Sequence, residues 1–228
     1  MKKVMTLAVI ALLAFSLAGC GGADKKSSTA PSSPPPVKQE SAADLFAKGK
    51  NLPGITYDYI MKAKEGPTMT GKVWLSGKKM KTEATVENQK IVTFIDSEAN
   101  VVYNYMPAEA MIMKIPFDPA KAAKSPDQYS KETDATKTKI LETVTYDGVS
   151  CKVVMLEEKP GQSQVKMWVR EDYGIPAKVE VTEAGALQMT AEYKNIKVGS
   201  VPPDTFALPQ GIPVTDMSEM MKHLPSKQ

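Results

Sequence analysis

Between Thr138 and Val181 apolar and polar residues alternate so regularly that one kind of backbone suits them best. Val149, Cys151, Val153 and Met155 alternate with Ser150, Lys152 and, less cleanly, Val154. After Pro160-Gly161-Gln162, Val165, Met167 and Val169 alternate with Lys166, Trp168 and Arg170. After Tyr173-Gly174-Ile175-Pro176, Ala177, Val179 and Val181 alternate with Lys178, Glu180 and Thr182. Successive side chains of a strand point to opposite faces, so the stretch predicts antiparallel strands with one apolar and one polar face. What covers the apolar face is the functional question.

The rest of the chain repeats the pattern. Ile55, Tyr57, Tyr59 and Met61 alternate with Thr56, Asp58 and Ile60. Residues 69–75 and 80–86 read as a hairpin across Ser76-Gly77-Lys78, residues 91–95 as a central strand apolar on both sides, and residues 101–106 as a further strand. Asp147-Gly148 after residues 138–146 is a strong two-residue hairpin signal. Leu187, Met189, Ala191 and Tyr193 share one parity and Ile196 and Val198 the other, which predicts a bulge near Asn195. So many strands at this spacing argue for an open or closed antiparallel sheet. Ser41-Ala42-Ala43-Asp44 opens a short amphipathic helix, with Ala42, Leu45 and Phe46 on one side and Asn51-Leu52-Pro53-Gly54 at its end. Residues 118–135 break the pattern and read as a short helix around residues 120–123 and an exposed loop. Thr215-Asp216 starts a last helix whose Met217, Met220, Met221 and Leu224 form one stripe, to dock on the sheet, act as a detachable lid, or meet a membrane or partner.

Met111, Met113 and Ile115, with Met106, Ile112 and Phe117 nearby, make the most apolar stretch after the leader. It reads either as one more core strand or as a greasy rim around a cavity. Methionine adapts to variable apolar shapes, and the chain has 14 of them.

The N-terminus constrains location. Lys2-Lys3, an apolar run over residues 4–15 and Leu17-Ala18-Gly19-Cys20 form an export signal too short to span a bilayer. Its end resembles the bacterial lipobox, which implies cleavage after residue 19 and a thioether-linked diacylglycerol, usually with a further acyl chain, on Cys20. Two or more chains make a stable anchor. The chain is thus expected to be exported and held on a membrane, facing the periplasm or the cell exterior. Residues 20–40 form a Pro/Ser-rich linker with no apolar periodicity, expected to be disordered. Residues 41–228 make the folded domain.

Little in the sequence points to catalysis. His223 is the only histidine and sits near the end; no His/Cys cluster suggests a metal, and no cofactor beyond the lipid on Cys20 is expected. Cys151 reads as a buried, inert thiol, and no internal disulfide is expected. Glu157-Glu158 and Glu171-Asp172 fall at turns, where solvated charge explains them. Trp74 and Trp168 lie opposite their strands' aliphatic residues and either pack under helices or line the outer face. Net charge is +3, which drops further when Lys2 and Lys3 leave, so nucleic acid is an unsuitable partner.

One family can be named from two stretches. Met167-Trp168-Val169-Arg170-Glu171-Asp172-Tyr173-Gly174-Ile175-Pro176-Ala177-Lys178-Val179-Glu180-Val181, and Tyr193-Lys194-Asn195-Ile196-Lys197-Val198-Gly199 with Pro203-Asp204-Thr205-Phe206-Ala207-Leu208-Pro209, resemble the LolA/LolB-like lipoprotein-localisation carriers. The resemblance implies a mainly β, α+β fold: a curved antiparallel half-barrel, covered by short helices, whose concave face holds acyl chains of lipids or lipoproteins. Departing from the soluble periplasmic carrier of that family, this chain reads as lipidated. The residues expected to meet such a ligand are Tyr57, Tyr59, Met61, Met106, Met111, Met113, Ile115, Met155, Met167 and Met189. The leading expectation is a monomeric, membrane-anchored binding protein and not an enzyme. The alternatives are an envelope sensory module with a protein partner and a structural surface lipoprotein.

Overall fold

The computed structural model describes residues 40–86, 89–159 and 163–218. The chain divides into Met1–Lys38 and Gln39–Gln228, and all described residues belong to the second unit. The expected leader, Cys20 and the expected linker up to residue 39 lie outside the described residues, as do Met220, Met221, His223 and Leu224. Among the described residues no helix is long and apolar enough to cross a membrane.

Helix α1 (Ala42–Ala47) starts where its cap requires. The Ser41 hydroxyl accepts from the Asp44 amide at 3.1 Å, and the Asp44 carboxylate accepts from the Ser41 amide at 3.3 Å, which satisfies two of the unpaired donors at a helix start. Strands β1 (Ile55–Ala63), β2 (Met69–Ser76), β3 (Lys79–Val86), β4 (Gln89–Asp96), β5 (Val101–Met106) and β6 (Met111–Pro116) form one meander. Helix α2 (Pro126–Glu132) follows, then a second meander of β7 (Thr138–Tyr146), β8 (Val149–Lys159), β9 (Ser163–Arg170), β10 (Pro176–Glu183) and β11 (Ala186–Val198), and finally β12 (Val214–Asp216). The meanders join where β11 pairs with β1, giving a single open curved sheet ordered β12-β6-β5-β4-β3-β2-β1-β11-β10-β9-β8-β7. Every pairing is antiparallel except β12 with β6.

Several turns follow from backbone chemistry. Asp147 and Gly148 both have positive φ, 52° and 76°, the geometry a two-residue hairpin favours. The register of β1 against β11 shifts between Thr56 and Asp58, opposite Asn195, whose φ is 51° and whose amide donates to Asp58 at 2.7 Å. That is the expected bulge, and it returns Ile196 and Val198 to the core side.

Four expectations are corrected. First, α2 occupies much of the segment read as a loop, while the expected helix near residues 120–123 is only a 3-10 turn at Pro119–Lys121. Ser125 and Gln128 cap α2 reciprocally and Pro126 sits in its first turn, a start signal readable from the sequence. Second, residues 214–216 are extended and pair with Ile112, Met113 and Lys114, so the expected helix starts later, at Ser218, whose amide donates to Asp216 Oδ1 at 2.9 Å. The β6 edge offers unpaired backbone groups, and Lys114 clamps Asp216 at 2.8 Å. Third, the two faces of β8 are exchanged. Val154 and Leu156 stand opposite Met167 and Val165 in the core, whereas Cys151, Val153 and Met155 share the other face with Arg170, Trp168 and Lys166. Val153 and Val154 are both buried, so alternation alone could not choose between the faces. Fourth, Met155 therefore leaves the expected ligand face.

Trp74 and Trp168 both lie on the outer face, Trp74 under Lys72 and Lys81 and Trp168 under Lys166 and Lys178, with ammonium groups 4.5–5.1 Å from the rings.

Candidate functional site

The concave face has two halves, and they are treated differently. Over β7–β11 and β1 it is closed. Leu45 and Phe46 of α1 are 0% and 1% exposed and pack with Tyr57, Val154, Met167, Val169, Val179, Ala191 and Tyr193. Tyr57 and Tyr193 meet edge to face, with ring centroids 5.4 Å apart, and burial pushes both phenols far above their ordinary pKa, with Asp127 adding to the effect on Tyr57.

The lid is fastened at the β9–β10 turn. Gly174 has φ +64°, its carbonyl accepts from the Ser130 hydroxyl of α2 at 2.6 Å, and its α-carbon lies directly beneath the Leu45 carbonyl of α1. Lys48 at the end of α1 donates to the Glu171 carbonyl at 2.6 Å. Ile175 and Pro176 then dive into the interior, both fully buried. The Tyr173-Gly174-Ile175-Pro176 segment thus joins both helices to the sheet.

Over β2–β6 the same face lies open. Cross-strand pairing arranges its inward residues in three rows. One runs Tyr59, Gly71, Ala84, with Ile91 opposite Ala84 and Met111 opposite Met106. The next runs Tyr57, Val73, Thr82, Thr93, Asn104, Met113. The third runs Ile55, Leu75, Met80, Ile95, Val102, Ile115. Tyr59, Thr82, Ala84, Ile91, Thr93, Asn104, Met106 and Met113 line a trough of about 390 Å³. Its lining carries no formal charge. Further along the same strands Ile95, Val102, Ile115, Pro116, Phe117, Asp118 and Ala122 line a second hollow of about 260 Å³.

Gly71 shapes the trough. A Cβ there would stand 2.5 Å from the Glu83 carbonyl and 2.7 Å from the Tyr59 ring, so the missing side chain is what lets the ring lie across β2. Tyr59 is half-buried, and desolvation raises its phenol pKa.

No protein-family model and no curated protein sequence matches the chain. Solved structures resemble it in three dimensions. An uncharacterized conserved protein from Thermus thermophilus superposes with a TM-score of 0.53 at 10% identity, over 77% of this chain and 96% of that one. Pseudomonas aeruginosa MucB bound to MucA aligns at a TM-score of 0.47 and 12% identity, over 74% of this chain and 61% of that one. A LolA superfamily protein from Nitrosomonas europaea aligns at 0.34 and 11% identity, over 74% and 98%. The Thermus likeness supports the fold alone, and the other two superpose too loosely to carry any argument.

Of the residues expected to meet a ligand, the trough gathers Tyr59, Met106 and Met113. Met111 shares its face, and Ile115 lines the second hollow. Tyr57 and Met167 are core residues, 4% and 0% exposed, beneath the helices. Met61 packs partly against that core, and Met189 sits half-buried on the inner face opposite Val181 and Ala63. Met155 is on the other face. Sequence reasoning misses Thr82, Ala84, Ile91, Thr93 and Asn104. Counting every second residue inward from Val102 and Met106 would have reached Asn104, but pairing register, and hence its neighbours, is not written in one strand.

Proposed function

We propose that the chain is a membrane-tethered binding protein, not an enzyme, that holds acyl chains in the open half of a curved sheet. The observation that carries the reading is the trough of about 390 Å³ between β1 and β6, floored by Ala84, Ile91, Met106 and Met113 and left uncovered where the neighbouring half is sealed by α1 and α2. Ligand pockets commonly measure about 300–1,000 Å³. At about 25 cal/mol per Å², a few hundred Å² of buried acyl surface contributes several kcal/mol before ordering costs. The absence of carboxylate, imidazole and thiol from the eight lining residues supports binding over catalysis.

The tether rests on Leu17-Ala18-Gly19-Cys20. Replacing Cys20 by alanine is expected to move the chain from the membrane to the soluble fraction. Binding is tested by organic extraction and mass spectrometry of the chain purified from membranes. Co-extracted acyl lipid, exchangeable for added lipid, supports the reading; a chain that neither carries nor accepts any lipid overturns it. The rival sensory module would present either the outer face or residues 118–135 to a protein partner; α2, whose Pro126 and Ser130 are buried in the fold, speaks against the second surface and leaves the first open.

A further inference from the structure

The middle row of the trough is chemically unlike the rows beside it. Thr82 on β3, Thr93 on β4 and Asn104 on β5 stand side by side across three central strands. Ala84 and Ile91 flank them on one side, and Met80, Ile95 and Val102 on the other. Asparagine is disfavoured in the interior of a strand, and here it points into an otherwise apolar hollow. The Thr93 hydroxyl donates to Asn104 Oδ1 at 2.9 Å, which fixes the amide and turns its nitrogen away from Thr93. No described residue takes up the two Nδ2 hydrogens or the Thr82 hydroxyl, and no buried side-chain polar atom among the described residues lacks a partner, so these donors face the hollow itself. The trough therefore offers donors flanked by hydrocarbon, and no cation.

We propose that Asn104, held by Thr93 and assisted by Thr82, is the polar subsite of the trough and accepts the carbonyl of an ester- or amide-linked acyl chain. This deepens the function proposed above and rests on it. A free fatty acid is a poor match, because no lysine or arginine lines the trough to pair its carboxylate. A plain hydrocarbon leaves the donors unpaired. An acyl ester or amide answers both, with its carbonyl on the Asn104 amide and its chain along Ile91, Met106 and Met113.

The test uses the full-length chain in a steroid-based detergent, with three radiolabelled probes: dioctanoylglycerol, an N-octanoyl peptide and hexadecane. Asn104→Leu removes the donors, and Asn104→Asp keeps the shape and the bond from Thr93 while losing both N–H groups. Both variants are expected to bind the carbonyl probes about tenfold more weakly, the size of one neutral hydrogen bond, with Asn104→Leu leaving hexadecane binding unchanged. A loss confined to the glycerol ester supports the subsite with a glycerolipid occupant, and a loss confined to the peptide supports it with an acylated protein. Equal losses for all three probes, or none, overturn the subsite while the trough reading stands. A wild-type chain that binds no probe overturns both.

Discussion

Replacing Gly174 by alanine tests whether the closed half of the sheet depends on the fastening of its two helices. The residue has φ +64°, a left-handed conformation that costs an L-residue with a Cβ about 1–2 kcal/mol. The new Cβ would also press into the Leu45 carbonyl oxygen and stand 3.0 Å from the Gly49 amide nitrogen. Both obstacles are backbone of the α1 region, so no rotamer change relieves them and α1 has to lift. Lifting it exposes part of Leu45 and Phe46, each worth about 1.5–3 kcal/mol when fully buried. Strain and partial exposure together predict a loss of roughly 3–5 kcal/mol. Gly185 is the control: its φ is +76°, but a Cβ there meets nothing within 4 Å, so Gly185→Ala carries only the conformational cost of about 1 kcal/mol. Urea unfolding of both variants measures the difference. Equal destabilisation of the two would show that α1 is not pinned at the β9–β10 turn and would refute the reasoning.

Met167→Ala is expected to cost about 2–5 kcal/mol because its site is sealed, whereas Met155→Ala on the opposite face costs less than about 1 kcal/mol; denaturation midpoints that rank them the other way would return Met155 to the core. Gly71→Ala should press on the Glu83 carbonyl of β3 as well as on the Tyr59 ring, so that it lowers stability and weakens acyl-probe binding several-fold; an unchanged affinity would show that the trough does not depend on the close approach at Gly71. Tyr57 and Tyr193 have folded-state pKa values raised by burial, so above the unfolded value of about 10 the native chain binds more protons than the unfolded one and stability falls as pH rises. The part of the tyrosinate absorbance that Tyr57→Phe and Tyr193→Phe remove should then appear together with unfolding; ionisation of these two phenols in a folded chain would contradict the burial. Burial pushes the Cys151 thiol up to about 11, so in a chain carrying Cys20→Ala a thiol reagent at about pH 8 should react only after denaturation.

Strands with one wet and one dry face are legible in the sequence. The parity of Val165, Met167, Val169, Val179 and Val181 is that of the core, and the change of parity past Tyr193 marks the bulge at Asn195. The Ser41–Asp44 cap is equally clear because it is local. β8 is not, since Val153 and Val154 are buried on opposite faces and only their partners Trp168 and Met167 say which is which. Thr215 and Asp216 read as the start of the last helix, and the edge of β6, far away in sequence, is what holds them extended and delays that start to Ser218. The candidate site is half legible for the same reason. Met106 and Met113 draw notice as side chains, but Thr82, Thr93 and Asn104 become a site only through the register of three strands.

Width explains why one half of the concave face is open. Twelve strands at about 4.8 Å spacing make an arc of over 50 Å, whereas helices about 10 Å across and only 6 and 7 residues long shelter a few strands each. An uncovered face could simply be a solvated one, with Thr82, Thr93 and Asn104 there to meet water. A face built for water would be polar along its whole length, as alternation readily allows. β4 does the opposite. Its outward Val92 and Phe94 are 5% and 7% exposed, so the strand already buries one face, yet Ile91 and Ile95 face inward around Thr93. On β5, Val102 and Met106 likewise bracket Asn104. Apolar rows exposed on either side of Thr82, Thr93 and Asn104 are costly against water alone, and the arrangement fits an occupant that is itself mostly hydrocarbon with one polar group part-way along.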